Sequence, residues 1–273
     1  MRSALLAVAV LAVTGCATQK AVAPKMVAAP AVAEATPSRR DTAKKILPSS
    51  VRVFIDDQGQ PLRNGAGVVI ANAVTASGTS SFILTNAHVL DTRGMKEPKL
   101  RIVTDVGADS FEYEGELTAV GTIPDMDLAL IRIPGVLLAP VELASDTDLE
   151  TGDDVLVVSA PFGRSLTLSG GMISNVEWDS KLKAPSMLKT DAAVGYGTSG
   201  GGVFSVRSGK LLGLVEGYRT TKVGFAIQDQ PYAFDLPIPG ETFAAPAAKV
   251  RRFLADRGLS ALVEKSDRRA AMR

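Results

Sequence analysis

The chain of 273 residues carries 30 Lys plus Arg against 29 Asp plus Glu, one His, one Cys and an apolar share of 46%. That length supports a sizeable core in one or two lobes, and charge this evenly balanced offers no field to nucleic acid, which is excluded as a partner. One Cys cannot close an internal disulfide and, with one His, cannot build a His/Cys zinc site, so no disulfide scaffold, metal or cofactor is expected.

Residues 1–15 read as a leader: Arg2 is followed by an apolar stretch from Ala4 to Val13 that is too short to span a bilayer. Val13-Thr14-Gly15-Cys16 resembles the lipobox of bacterial lipoproteins. That resemblance implies that Cys16 is acylated and becomes the mature N-terminus, anchoring the protein to a membrane. Ala17, rather than Asp, follows the cysteine, which resembles the signal for sorting to the outer membrane and implies a protein facing the periplasm. Residues 16–45 are expected to be the lipidated Cys and a flexible tether. The run AVAPKMVAAPAVAEATP has no helical or strand period, and Pro24, Pro30 and Pro37 oppose a packed helix.

The expected body, residues 46–260, consists of short, often β-branched apolar runs separated by turn residues. In chain order they include Val51 to Ile55, Gly67 to Ala71, Ser81 to Thr85, Leu100 to Val103, Leu128 to Ile133 and Val155 to Val158. Ser165 to Ser174, Met187 to Thr190, Gly202 to Val206, Leu211 to Gly217 and Val223 to Ile227 follow. This pattern predicts an all-β fold of barrels or sandwiches. Only AAPAAKVRRFLADRGL changes period, placing Val250, Phe253 and Leu254 on one face before Gly258, which predicts a C-terminal amphipathic helix. Residues 261–273 read as a basic tail.

Three segments carry chemistry: ILTNAHVL with His88 at a strand end, PDMDLALIRI with Asp127 entering a strand, and VGYGTSGGGVF with Ser199 in a glycine-rich turn. Together they supply base, orienter and nucleophile in the order His, Asp, Ser. Gly197-Thr198-Ser199-Gly200-Gly201 also fits the nucleophile elbow of α/β-hydrolases, but no histidine follows Ser199 as that fold requires. Gly195 to Gly200 fits a dinucleotide fingerprint, yet strand-forming residues follow it instead of a helix.

TNAHVL, DLALIRI and GTSGGGVF resemble the three active-site segments of trypsin-like serine proteases, and most closely those of the bacterial HtrA (DegP-like) branch. APFG, LSGGMIS, LKTDAAVGYGTSGGGVF, GKLLGLV and VGFAI extend the likeness over most of the body. The resemblance implies two six-stranded antiparallel β-barrels with a C-terminal α-helix and a catalytic cleft between the barrels. It implies Ser199 as nucleophile, His88 as general base and acid, and Asp127, with Asp125 as the competing carboxylate, as the group that fixes the imidazole. The N–H groups of Gly197 and Ser199 would form the oxyanion hole. Ala193 would lie at the base of the S1 pocket, with Tyr218, Gly224 and Ala226 also lining the substrate site. With no acid at Ala193, cleavage of protein or peptide substrates after small or medium aliphatic residues is expected.

The likeness departs from the family in three places. Thr198 stands where trypsin-type zymogens have Asp, the PDZ domain usual in HtrA proteins is not expected, and Glu216 brings a second carboxylate near the triad. The expected function is therefore a serine endopeptidase of the cell envelope. The alternative is an inactive protease-fold lipoprotein that binds envelope polypeptides.

Overall fold

The computed structural model describes residues 37–264. The leader, Cys16, most of the expected tether and residues 265–273 lie outside the described residues.

The described chain starts with a helix, α1 (Arg39–Ile46), capped by the Ser38 side chain, which accepts from the Asp41 N–H. This corrects the expected tether over residues 39–45. Only Thr42 and Ile46 of this polar helix are buried. Thr42 Oγ1 donates to the Val206 carbonyl at 2.6 Å, Lys45 Nζ to the Ser208 carbonyl at 2.6 Å, and Arg39 pairs with Asp154. A helix with two inward residues has too little apolar periodicity to be legible in sequence.

Seven strands follow: β1 (Ser50–Asp57), β2 (Gln60–Thr75), β3 (Gly78–Thr85), β4 (Pro98–Val106), β5 (Asp109–Glu114), β6 (Glu116–Val120) and β7 (Ala129–Pro134). They form one antiparallel sheet in the order β5-β4-β1-β2-β3-β7-β6. Its two edges are consecutive in the chain, separated by Gly115, whose N–H donates to the Leu100 carbonyl of β4 at 2.9 Å. The sheet thus curls round on itself. Counted as one bent strand, β5 and β6 bring the seven strands back to the expected six.

The second half holds β8 (Asp154–Ser159), β9 (Thr167–Asp179), β10 (Ala184–Thr190), β11 (Gly202–Ser205), β12 (Leu211–Ile227) and β13 (Gln230–Pro246). These close into an antiparallel barrel in the order β10-β13-β12-β11-β8-β9. The all-β class and the C-terminal helix, α2 (Ala247–Ala255), are as expected, with Val250, Phe253 and Leu254 fully buried on one face.

β8 shows why its sequence is an unbroken apolar run. Val155 and Val157 fill the barrel interior, while Leu156 and Val158 enter a second core shared with Val68, Ile70, Leu84 and Leu130 of the first sheet and with α2. A strand buried on both faces has no polar side to show. The shared core is what fixes the two β-units against each other. It also takes in Val263, with Leu259 and Leu262 packed against it, so residues 261–263, expected as tail, belong to the body.

One element was not foreseen. β12 runs on past Tyr218 and pairs with β13 from Thr220 to a turn at Gln228-Asp229, both with positive φ. This two-stranded arm is exposed along most of its length and holds Phe225, Tyr232 and Phe234 against one another. Among the described residues no helix is long and apolar enough to cross a membrane.

Candidate active site

His88 sits in a single 3-10 turn (Ala87–Leu90) directly after β3. Asp127 precedes β7, the hydrogen-bonded neighbour of β3, so strand pairing alone carries the two residues to the same end of the sheet. Both oxygens of the Asp127 carboxylate are taken by His88: Oδ1 accepts the backbone N–H at 2.9 Å and Oδ2 lies 2.5 Å from Nδ1. Asn86 Nδ2 donates to the Asp127 carbonyl at 2.8 Å. Asp127 is thereby fixed at side chain and main chain, with its side chain 12% exposed against 39% for the imidazole. Asp125, the competing carboxylate, is exposed.

Ser199 comes from the other β-unit, on the turn between β10 and β11. Its carbonyl accepts the Ala66 N–H of β2 at 2.8 Å, pinning the turn to the first sheet. Two glycines make that approach possible. Gly197 has φ +85°, and a Cβ there would meet the Phe162 nitrogen at 2.6 Å. Gly200 has φ +79°, and a Cβ would lie 2.1 Å from the Ala66 carbonyl oxygen. Thr198 is buried and ties the turn internally, its Oγ1 donating to the Gly195 carbonyl at 2.6 Å. The backbone N–H groups of Gly197 and Ser199 donate to no acceptor among the described residues. Donors left free on a tightly held turn are what an oxyanion requires.

A pocket of about 240 Å³ opens between the units, lined by Leu62, Arg63, Asn64, His88, Val89, Phe162, Tyr196 and Gly197. The imidazole and the glycine turn thus face one cavity. No hydrogen bond joins Ser199 to His88 among the described residues, so the structure brings His88 and Asp127 into contact and leaves the serine unpaired.

The other expected substrate residues divide. Tyr218 is half-buried at the base of the arm, and its ring meets that of Tyr196 edge-on at 6.2 Å, with Phe162 6.4 Å beyond. Ala193 is exposed and lies outside the pocket lining. Gly224 and Ala226 are corrected. They lie exposed on the outer arm, paired with Ala233 and Pro231, because VGFAI continues into a hairpin instead of running to the terminal helix. It is Thr242 to Ala244, at the inner end of β13, that pairs with β10 in the barrel wall.

Glu216, expected near the triad, does not stand as a free carboxylate. Lys249 Nζ of α2 lies 2.8 Å from its Oε1. Burial pushes the Glu216 carboxyl above its usual range, with a smaller push from Asp127, while Lys249 and His88 act against it. Sequence reasoning missed Lys249 because nothing local links positions 33 residues apart. It also missed the anchoring role of Asn86, although that residue lies inside TNAHVL.

Two β-units with a His–Asp pair on one and a serine in a glycine turn on the other define the class of trypsin-like peptidases. The trypsin-like peptidase domain family matches residues 65–214, and the chain belongs to that family. It is similar to the magnetosome formation protease MamE of Magnetospirillum gryphiswaldense, 30% identical over 216 residues, covering 77% of this chain and 24% of that protein. It is also similar to a DegP-like periplasmic serine endoprotease of Marinomonas, 31% identical over 170 residues, covering 62% of this chain and 32% of that protein. The chain therefore spans about a quarter to a third of the length of these relatives. Among solved structures it is similar to Deg5, with a TM-score of 0.55 at 25% identity, covering 78% of this chain and 91% of that one.

Proposed function

We propose that this chain is a serine endopeptidase acting on envelope proteins. The observation that carries the reading is the capture of both Asp127 oxygens by His88 at the rim of a pocket that the Gly197 turn also lines. With Nδ1 bonded to Asp127, Nε2 is the nitrogen left to face the cleft. It takes the Ser199 Oγ proton as the hydroxyl attacks the substrate carbonyl, and Asp127 stabilises the imidazolium that forms. The tetrahedral oxyanion is received by the free N–H groups of Gly197 and Ser199. Collapse with protonation of the amine by His88 gives the acyl-enzyme, and the same residues then activate water. The Ser199–His88 hydrogen bond forms when substrate fills the cleft.

The family resemblance puts Ala193, which carries no acid, at the base of S1, and on that ground a preference for small or medium aliphatic residues at P1 is part of the proposal. Acylation of Cys16, a tether ahead of the body and attachment to the outer membrane facing the periplasm remain part of the proposal, supported by the lipobox resemblance. The periplasmic naming of the Marinomonas relative agrees with this setting.

The test is labelling with a fluorophosphonate probe, comparing the purified protein with Ser199→Ala. Labelling that disappears in the variant, together with a fall in turnover of at least about a thousandfold, is expected. Absence of labelling in folded wild-type protein would refute the peptidase reading and leave a cleft that only binds polypeptide.

A further inference from the structure

The pocket beside His88 carries a charge that the proposed chemistry does not use. Of the residues lining it only Arg63 bears a permanent charge, while Leu62, Val89, Phe162 and Tyr196 give it an apolar wall. Arg63 stands near the start of β2, opposite Ile55 of β1, with its side chain 42% exposed.

The guanidinium is loosely held. Its one side-chain partner among the described residues is Asp91, with Nη2 3.3 Å from Oδ2. Asp91 is already taken by Arg93, which donates to it from the backbone N–H at 3.0 Å, from Nε at 2.9 Å and from Nη2 at 2.9 Å. Arg63 makes the longest of these four contacts. Two guanidinium groups thus share one carboxylate, and a positive charge at the pocket stays uncompensated. A second carboxylate entering the pocket could accept two parallel N–H bonds from Arg63, a stronger arrangement than the single contact that it would replace.

The mechanism says which part of a substrate would bring it. His88 hands its proton to the departing amine, so the leaving peptide runs out on the imidazole side of the cleft. The pocket lies on that side: it is lined by His88 and the following Val89 and by residues 62–64 of β2, whereas Ala193 and Tyr218, expected to meet the acyl half, lie outside its lining. The apolar wall suits the methylene stem of an acidic side chain, with its charged head at Arg63.

We propose that Arg63 is a specificity-determining residue for the leaving peptide, selecting substrates with an acidic side chain, Glu above all, within the first two residues after the scissile bond. The proposal rests on the peptidase reading above and adds to it a chemical class of substrate.

Internally quenched peptides with amidated ends, differing only in Glu, Gln or Lys at the first or second position after the cleaved bond, test the claim in wild type and Arg63→Gln. Wild type is expected to favour Glu over Gln by about threefold or more in kcat/KM at one of the two positions, with Lys poorest. In Arg63→Gln the Glu-to-Gln ratio is expected to fall to about one. That ratio is internal to each variant, so a change in overall rate does not move it. Cleavage by wild type with no preference for Glu at either position, or a preference that survives in Arg63→Gln, overturns the proposal while the peptidase reading stands. Should Arg63→Gln not fold, Arg63→Met, which keeps the stem without the charge, decides in the same way. Absence of fluorophosphonate labelling would instead sink the peptidase reading. The contact would then be read from anisotropy of the same peptides bound to Ser199→Ala: tighter binding of the Glu peptide that is lost on adding Arg63→Gln supports a carboxylate site at Arg63, and equal binding overturns it.

Discussion

Gly200 and Gly240 provide a matched pair for measuring how tightly the serine turn is built into the fold. Their φ angles are +79° and +80°, so an alanine at either carries the same left-handed backbone penalty, about 1–2 kcal/mol. They differ in surroundings. A Cβ at Gly240 meets nothing within 4 Å, whereas one at Gly200 meets the Ala66 carbonyl oxygen at 2.1 Å and Thr85 Oγ1 at 2.4 Å. Those two atoms are themselves hydrogen-bonded at 2.7 Å in a buried setting. To admit the methyl group, that bond, worth about 1 kcal/mol net, must break, and the turn must move off β2. Gly240→Ala should therefore cost about 1 kcal/mol and Gly200→Ala about 3–4 kcal/mol. Urea unfolding of both variants at one pH, with equal m-values, reads the difference. Gly200→Ala should also lose fluorophosphonate labelling under conditions where it remains folded. Two variants within about 0.5 kcal/mol of each other, both still labelled, would refute the view that close approach to β2 shapes the turn.

Further expectations concern the body. Phe253→Ala, which empties a fully buried position in the core joining α2 to both β-units, should cost about 3–5 kcal/mol in urea unfolding; a loss near 1 kcal/mol would mean that the core collapses easily round the gap. Thr42→Val keeps the shape of the side chain but removes the donor to the Val206 carbonyl, and should cost about 1–3 kcal/mol. An unchanged midpoint would show that this bond adds nothing to the attachment of α1. Asp105 is pushed up by partial burial but held below 3.8 overall by hydrogen bonds from Arg52 and Ser110. With its folded pKa below the unfolded value, its stabilisation is complete above that unfolded value and fades as pH falls through the folded one. The stability gap between wild type and Asp105→Asn should therefore be wider at neutral pH than near pH 3; an equal gap at both would contradict this.

The local chemistry was legible because it resides in contiguous segments. TNAHVL, DLALIRI and GTSGGGVF each fold within a strand end or a turn, and strand pairing does the rest. The apolar runs of β1, β3, β7 and β8 were readable for the same reason: burial on one or both faces leaves a mark at every second position or at every position. What escaped was written across distance or against propensity. β13 carries Pro231, Pro237 and Pro239, and prolines disguise a strand; on an arm with free edges they cost few ladder bonds. The arm in turn carried Gly224 and Ala226 away from the cleft. The Lys249–Glu216 contact joins a helix to a strand through the closing of the barrel, for which no spacing rule exists.

The division of the site between the two β-units has a consequence for how variants are screened. The His88–Asp127 pair belongs wholly to one unit and Ser199 with its glycine turn to the other, and the Ala66–Ser199 backbone bond pins the two together. A substitution that shifts this pin by about an ångström would slow turnover by about a hundredfold by misaligning serine and imidazole. Each half would keep its own strand ladders, and the core that they share would stay closed. Where such a shift breaks no buried bond it leaves a melting curve almost unmoved, so a stability survey would pass as healthy some of the proteins that a probe of Ser199 reactivity would reject.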